Sequence, residues 1–79
     1  EDVYPFSTPQ QQTRFEVLTT QLRCLVCQNQ NIAESNAPLA ADLRDQIYQH
    51  IIHGQSDQQI VDYLVARYGD FILYRPPFN

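Results

Sequence analysis

Lysine is absent from the chain, and its five cations are all arginines: Arg14, Arg23, Arg44, Arg67 and Arg75. Against nine acidic residues they leave a formal net charge of −4 and an isoelectric point near 4.7. That balance offers no basic face to a phosphate backbone, and no basic helix to a membrane surface. Methionine is also absent, an initiator included, which predicts a processed or trimmed chain, a removed secretory leader being the natural explanation. No run of 18 apolar residues occurs, so no segment reads as spanning a bilayer. Cysteine is scarce: Cys24 and Cys27 are the two, too few for a disulfide-built mini-protein. Charged residues make up only 18%, and polarity comes mainly from glutamine and asparagine. What is present is 43% hydrophobic, enough for a modest core and too much for a disordered tail. The 79 residues allow one domain. A domain of this size buries about 60–65% of its unfolded surface, so its stability is marginal.

Residues 1–8 lack a helical period and contain Pro5, which predicts an extended lead-in. Thr8-Pro9 reads as a hydroxyl N-cap followed by proline at the first helical position. Phe15, Leu18 and Leu22 then recur at helical spacing, with Val17 beside them, and predict a first helix over about 9–22. Residues 24–37 break the period, with Asn29, Asn31, Ser35 and Asn36 favouring turns. They read as a long loop holding both cysteines, with room for one helical turn around Ile32-Ala33. Asn36 reads as the N-cap of a second helix, with Pro38 in its first turn. Leu39, Leu43, Ile47 and Ile51 form its apolar stripe, and Asp42, Arg44, Asp45, Gln46 and Gln49 fill much of the outer face. Gly54 reads as its left-handed stop. Ser56 with Gln59 is a capping-box pair opening a third helix, which carries Ile60, Val61, Leu64, Val65 and Tyr68 and ends at Gly69. A link of only about three residues between helices 2 and 3 predicts an antiparallel helical hairpin. Residues 70–79 read as an extended tail, with apolar Phe71-Ile72-Leu73-Tyr74 ahead of Pro76-Pro77. No segment shows sustained period-two alternation. The fold class is therefore all-α: a three-helix bundle with a long cysteine-bearing loop between helices 1 and 2, and the whole of 1–79 forming one domain.

Cys24 and Cys27 admit three readings. As a staple the pair would close a loop of about four residues, for roughly 2 kcal/mol in the chain-entropy model against about 3 for 15 residues, and would join neighbours already close. As half of a zinc site they would need His50 and His53, giving C-x2-C-x22-H-x2-H, which misses the usual finger spacings. In the last turn of helix 2 those histidines also suit the negative end of the helix dipole. As a dithiol/disulfide pair, two intervening residues let the sulfurs meet and part, and Arg23 could place positive charge beside a thiolate. Arg23 reads equally well as a solvated cation at a helix C-terminus. Cys24 follows a helix instead of opening one, so the dipole would not acidify it; neither thiol is expected to be strongly acidified. Asp42, Asp45, Asp57 and Asp62 read as helix surface, Tyr48, Tyr63 and Tyr68 as half-buried packing, and Ser35 as a turn or cap residue.

Leu22-Arg23-Cys24-Leu25-Val26-Cys27-Gln28 is the pattern LRCxxCQ. With Asn31 to Ser35, Ala40 to Arg44, Gly54 to Asp57, Ile60 to Leu64, Arg67 to Asp70 and Leu73 to Pro77, it resembles the CcmH family of bacterial cytochrome c maturation proteins. The likeness covers roughly residues 10–78, and the sister NrfF family of nitrite-reductase assembly looks similar. The resemblance implies a periplasmic three-helix domain, anchored to the inner membrane in the full-length protein by a helix that begins soon after the Arg-Pro-Pro tail. It implies thiol–disulfide oxidoreductase activity, in which Cys24 and Cys27, flanked by Leu22 and Arg23, exchange disulfides with the CxxCH motif of apocytochrome c so that haem can be ligated. The implied partners are apocytochrome c, the thioredoxin-like CcmG and a haem-ligation complex of the CcmF type, with no metal or cofactor. The Leu25-Val26 insert is apolar where the family varies. It suits the alternative of a non-enzymatic chaperone that holds apocytochrome. The long loop also allows a domain-swapped dimer.

Overall fold

The computed structural model describes residues 4–23 and 31–73, the side chain of Phe71 excepted. Helix α1 spans Pro9–Gln21, α2 Pro38–Ile52 and α3 Asp57–Tyr68, and a short 3-10 helix, Asp70–Leu73, follows. The expected three-helix architecture holds. Among the described residues the one β feature is an isolated antiparallel bridge between Arg23 and Asn31.

Each helix end has a local cause. Thr8 caps α1, its hydroxyl oxygen accepting from the Gln11 N–H at 3.2 Å, and Pro9 stands where its missing N–H removes an orphan donor. Leu22 closes α1 in an extended conformation, its N–H donating to the Leu18 carbonyl. The expected Asn36 cap of α2 is not observed: Ala37 is the N-cap, with no side-chain bond. Pro38 explains this, because a proline at the first helical position drives the residue just before it out of the helical region, and Ala37 has ψ 144°. Ser35 takes over part of the capping, its Oγ accepting from the Ala37 N–H at 3.0 Å.

Helix α2 ends in a Schellman motif. The Gln55 N–H donates to the His50 carbonyl and the Gly54 N–H to that of Ile51, both at 3.0 Å, with Gly54 at φ 84°. Helix α3 begins with the expected capping box, Gln59 N–H to Ser56 Oγ at 3.1 Å and Ser56 N–H to Gln59 Oε1 at 2.9 Å. Arg14 of α1 clamps this junction, its Nε 2.7 Å from Asp57 Oδ1 and its Nη2 donating to the Gln55 carbonyl. Exposed pairs of this kind contribute about 0–1 kcal/mol, so the clamp orients α1 more than it stabilises the fold.

Gly69 ends α3 at φ 101° and ψ 170°, a region that is essentially glycine-only. From there the chain turns into the 3-10 helix, where an extended tail was expected at 70–73. The reason is burial: the turn drives Ile72 wholly into the core. Residues 74–79 lie outside the described part. Gly69→Ala is expected to destabilise by about 1–3 kcal/mol through strain. Gly54→Ala should cost less, about 1–2 kcal/mol, since Gly54 has the milder left-handed geometry and open space where a Cβ would go. Chemical denaturation of both variants measures the difference; equal losses would contradict it.

The core runs along Ala40, Leu43, Ile47 and Ile51 of α2, meets Leu18 and Leu22 at the end of α1 and Ile60 and Leu64 of α3, and is closed by Ile32 and Ile72. The α2 stripe is rotated slightly from expectation, with Ala40 buried and Leu39 only partly so. Val17 lies 42% exposed. The lead-in is not passive: Tyr4 and Phe6 both pack on Phe15 and Tyr48, ring centroids 4.9–5.4 Å apart. Two hydroxyls lock it down, Tyr48 donating to the Pro5 carbonyl at 2.8 Å and Tyr4 to Asp45 Oδ1 at 2.7 Å.

Candidate functional site

Cys24 and Cys27, the expected redox residues, lie outside the described residues, as does the Leu25-Val26 pair between them. Their acidity and pairing are therefore not placed. What the structure defines is the frame from which residues 24–30 leave and to which they return. The outgoing limb is Leu22-Arg23. Leu22 is buried, and the half-buried Arg23 donates its N–H to the Ile72 carbonyl at 2.9 Å. The returning limb begins at Asn31. The Ile32 N–H donates to the Leu22 carbonyl at 3.2 Å, and the Ala33 N–H to that of Thr19 at 2.9 Å. The Arg23–Asn31 bridge sits between these bonds.

This arrangement satisfies a need of α1 itself. The last four carbonyls of a helix have no partner within it. That of Thr19 is satisfied by Ala33 of the returning limb. Thr19 is buried, and its Oγ1 donates to the Phe15 carbonyl at 2.8 Å. The expected helical turn near Ile32 is present: the Glu34 and Ser35 N–H groups both donate to the Asn31 carbonyl at 3.3 Å. Cys24 thus comes two residues after the α1 cap, as expected.

Arg44 was expected on the outer face of α2. It instead reaches the returning limb, where Nη1 donates to the carbonyls of Ile32 at 2.7 Å and Ser35 at 2.9 Å. Periodicity missed this, because it marks apolar positions and does not say which polar side chain turns inward. Ser35 is buried as a turn residue, as expected. Beside the limb runs a groove of about 670 Å³, whose lining includes Tyr4, Phe15, Glu16, Thr20, Glu34 and Asn36.

The other candidates fall where surface roles put them. Asp42 accepts from Gln46 one turn on and Asp62 from Gln58 one turn back, Asp45 accepts from Tyr4, and Asp57 pairs with Arg14. His50 Nδ1 lies 2.9 Å from Gln55 Oε1, and its ring packs on Tyr63 at 4.5 Å. His53 Nδ1 lies 2.6 Å from the Gln49 carbonyl. Among the described residues no three or more His, Cys, Asp or Glu gather as a metal site, and no helix is long and apolar enough to cross a membrane.

Comparison with known proteins gives consistent relatives. A family model described as CcmH, cytochrome C biogenesis protein, matches residues 1–79. The cytochrome c-type biogenesis protein CcmH of Pseudomonas aeruginosa is 59% identical over 99% of this chain and 50% of its own length. NrfF of Escherichia coli O157:H7, a formate-dependent nitrite reductase complex subunit, is 46% identical over 99% of this chain and 61% of its own. The chain thus spans about half to three fifths of these relatives. The solution structure of the N-terminal domain of CcmH from Escherichia coli superposes with a TM-score of 0.72 at 48% identity, covering 98% of this chain and 95% of that one.

Proposed function

Because this chain belongs to the CcmH family of cytochrome c biogenesis proteins, we propose that Cys24 and Cys27 form a dithiol/disulfide pair that exchanges with the CxxCH motif of apocytochrome c. The Cys24 thiolate attacks one sulfur of the substrate disulfide. A mixed disulfide forms and one substrate thiolate leaves. Cys27, as thiolate, then attacks the Cys24 sulfur. The Cys24–Cys27 disulfide forms, the second substrate thiolate leaves and takes up a proton, and two electrons have passed to the substrate. A thioredoxin-like dithiol of the CcmG type would return the pair to the reduced state, and a CcmF-type ligation complex would receive the reduced apoprotein. The periplasm is the compartment that suits this work, with an inner-membrane anchor in the part of the relatives that this chain does not cover.

The observation that carries the reading is the frame. Seven residues containing both sulfurs lie between Arg23 and Asn31, two positions bridged to each other, with Arg23 also bonded to Ile72. Such an arrangement supports two sulfurs for transfer to another protein and adds little as a staple. The test is trapping. Cys27→Ser, mixed with an oxidised CxxCH peptide, is expected to accumulate a mixed disulfide by mass spectrometry, and Cys24→Ser is not. Trapping by Cys24→Ser alone would reverse the roles, and trapping by neither would overturn the exchange.

The groove beside the returning limb favours one second reading, a chaperone that holds apocytochrome without exchanging thiols. Peptide binding undiminished in a variant lacking both sulfurs would support it.

A further inference from the structure

We infer that the groove between α1 and the returning limb is a docking site for a peptide segment bearing a lysine or arginine side chain. This deepens the proposed function, on which it rests for the kind of partner, a protein chain to be matured. It leaves the thiol chemistry aside.

The lining has two halves of different character. One is aromatic: the rings of Tyr4 and Phe15 lie 4.9 Å apart, and the Tyr4 hydroxyl is held by Asp45 at 2.7 Å. The other is acidic and comes from two elements, Glu16 of α1 and Glu34 of the returning limb, both exposed. The described ion pair, Arg14 with Asp57, involves neither carboxylate. Glu16 Oε2 accepts from the uncharged Gln12 amide at 3.3 Å, and the Glu34 backbone is fixed by its N–H donating to Asn31 Oδ1 at 2.9 Å. Arg44 is the cation among the described lining residues, and its Nη1 is turned onto the Ile32 and Ser35 carbonyls.

A long cationic side chain matches both halves at once. Its apolar stem covers aromatic surface while its charged head stays with the carboxylates in water, and an aromatic face itself attracts a cation. A metal ion is a poorer fit, since among the described residues no three or more His, Cys, Asp or Glu gather there. The volume of about 670 Å³ exceeds one side chain and leaves room for the main chain that carries it. Because the rings and the Glu34 backbone are already held in place, little ordering is needed on binding.

The experiment is fluorescence anisotropy of labelled peptides with the whole chain. Each peptide carries SxxSH, with serine for both cysteines of CxxCH so that no thiol chemistry contributes, flanked by lysine, norleucine or glutamate. At low salt the lysine peptide is expected to bind about tenfold tighter than the norleucine peptide, the worth of two exposed charge pairs, and the advantage should shrink severalfold at high salt. Glu16→Gln together with Glu34→Gln should remove the advantage. Asp42→Asn together with Asp62→Asn, an equal loss of charge outside the groove lining, should leave it within twofold. Equal affinities for the three peptides overturn the inference. So does an equal loss in the two double variants, which would mean attraction to the net charge of the chain. Peptide binding that is lost as the chain self-associates would give the groove to a second copy and overturn it too. A failure here leaves the trapping test of Cys27→Ser standing. Trapping by neither cysteine variant, with the lysine preference intact, overturns the exchange and supports the docking site.

Discussion

Ile32→Ala is expected to lower the unfolding free energy by about 3 kcal/mol, within the usual range for truncating a buried isoleucine. At roughly 4–8 °C per kcal/mol for a domain of this size, the melting temperature should fall by about 12–24 °C. Ile32 is wholly buried and belongs to the same core cluster as Leu18, Leu22, Leu43 and Ile72. A domain of 79 residues has a total stability of about 4–12 kcal/mol, so this single cavity consumes a large share of it. Ile32→Val, which removes one methyl group, should lose only about 0.5–1.5 kcal/mol. Thermal unfolding followed by circular dichroism measures both. A loss under about 1 kcal/mol for the alanine variant would mean that the returning limb is not part of the core.

The second large effect concerns chemistry. Replacing both Cys24 and Cys27 by alanine is expected to abolish disulfide exchange with a CxxCH peptide, because no other sulfur exists in the chain. The fold should survive, since a staple over so short a loop is worth only about 2 kcal/mol. Peptide thiol content, followed by alkylation and mass spectrometry, measures the exchange, and far-ultraviolet circular dichroism the fold. Retained reduction of the peptide would remove the sulfurs from the mechanism. Loss of exchange with retained peptide binding would separate the chemistry from any holding role of the groove.

Much of this fold is readable before any coordinates exist, because many of its signals are local. Ser56 and Gln59 lie three residues apart and the side chain of each accepts from the other's backbone N–H, so their capping box needs no tertiary information. Gly54 stops α2 through bonds within its own turn. Asn36 misleads for the opposite reason. It is a good capping residue by type, but Pro38 dictates that Ala37 hold the position. The 3-10 turn at Asp70–Leu73 escapes as well: what shapes it is the burial of Ile72 and a bond to Arg23, far away in sequence. Tyr4 and Phe6 become informative only once Phe15 and Tyr48 are brought beside them. Of the candidate site, the CxxC is plain in the sequence. The frame around it is not, since Thr19, Arg44 and Ile72 come from three separate elements, and no spacing rule links them to Cys24.

The bond between Arg23 and the Ile72 carbonyl spans 49 residues. A chain that emerges amino-terminus first must therefore deliver both cysteines well before their outgoing limb can be held. Through that interval the segment carrying both thiols meets whatever oxidants and thiol enzymes are near, with the bond from Arg23 to Ile72 not yet made. On the exchange reading proposed above, the first oxidation state of the pair would be set by the surroundings of the nascent chain, before the bond from Arg23 to Ile72 can form.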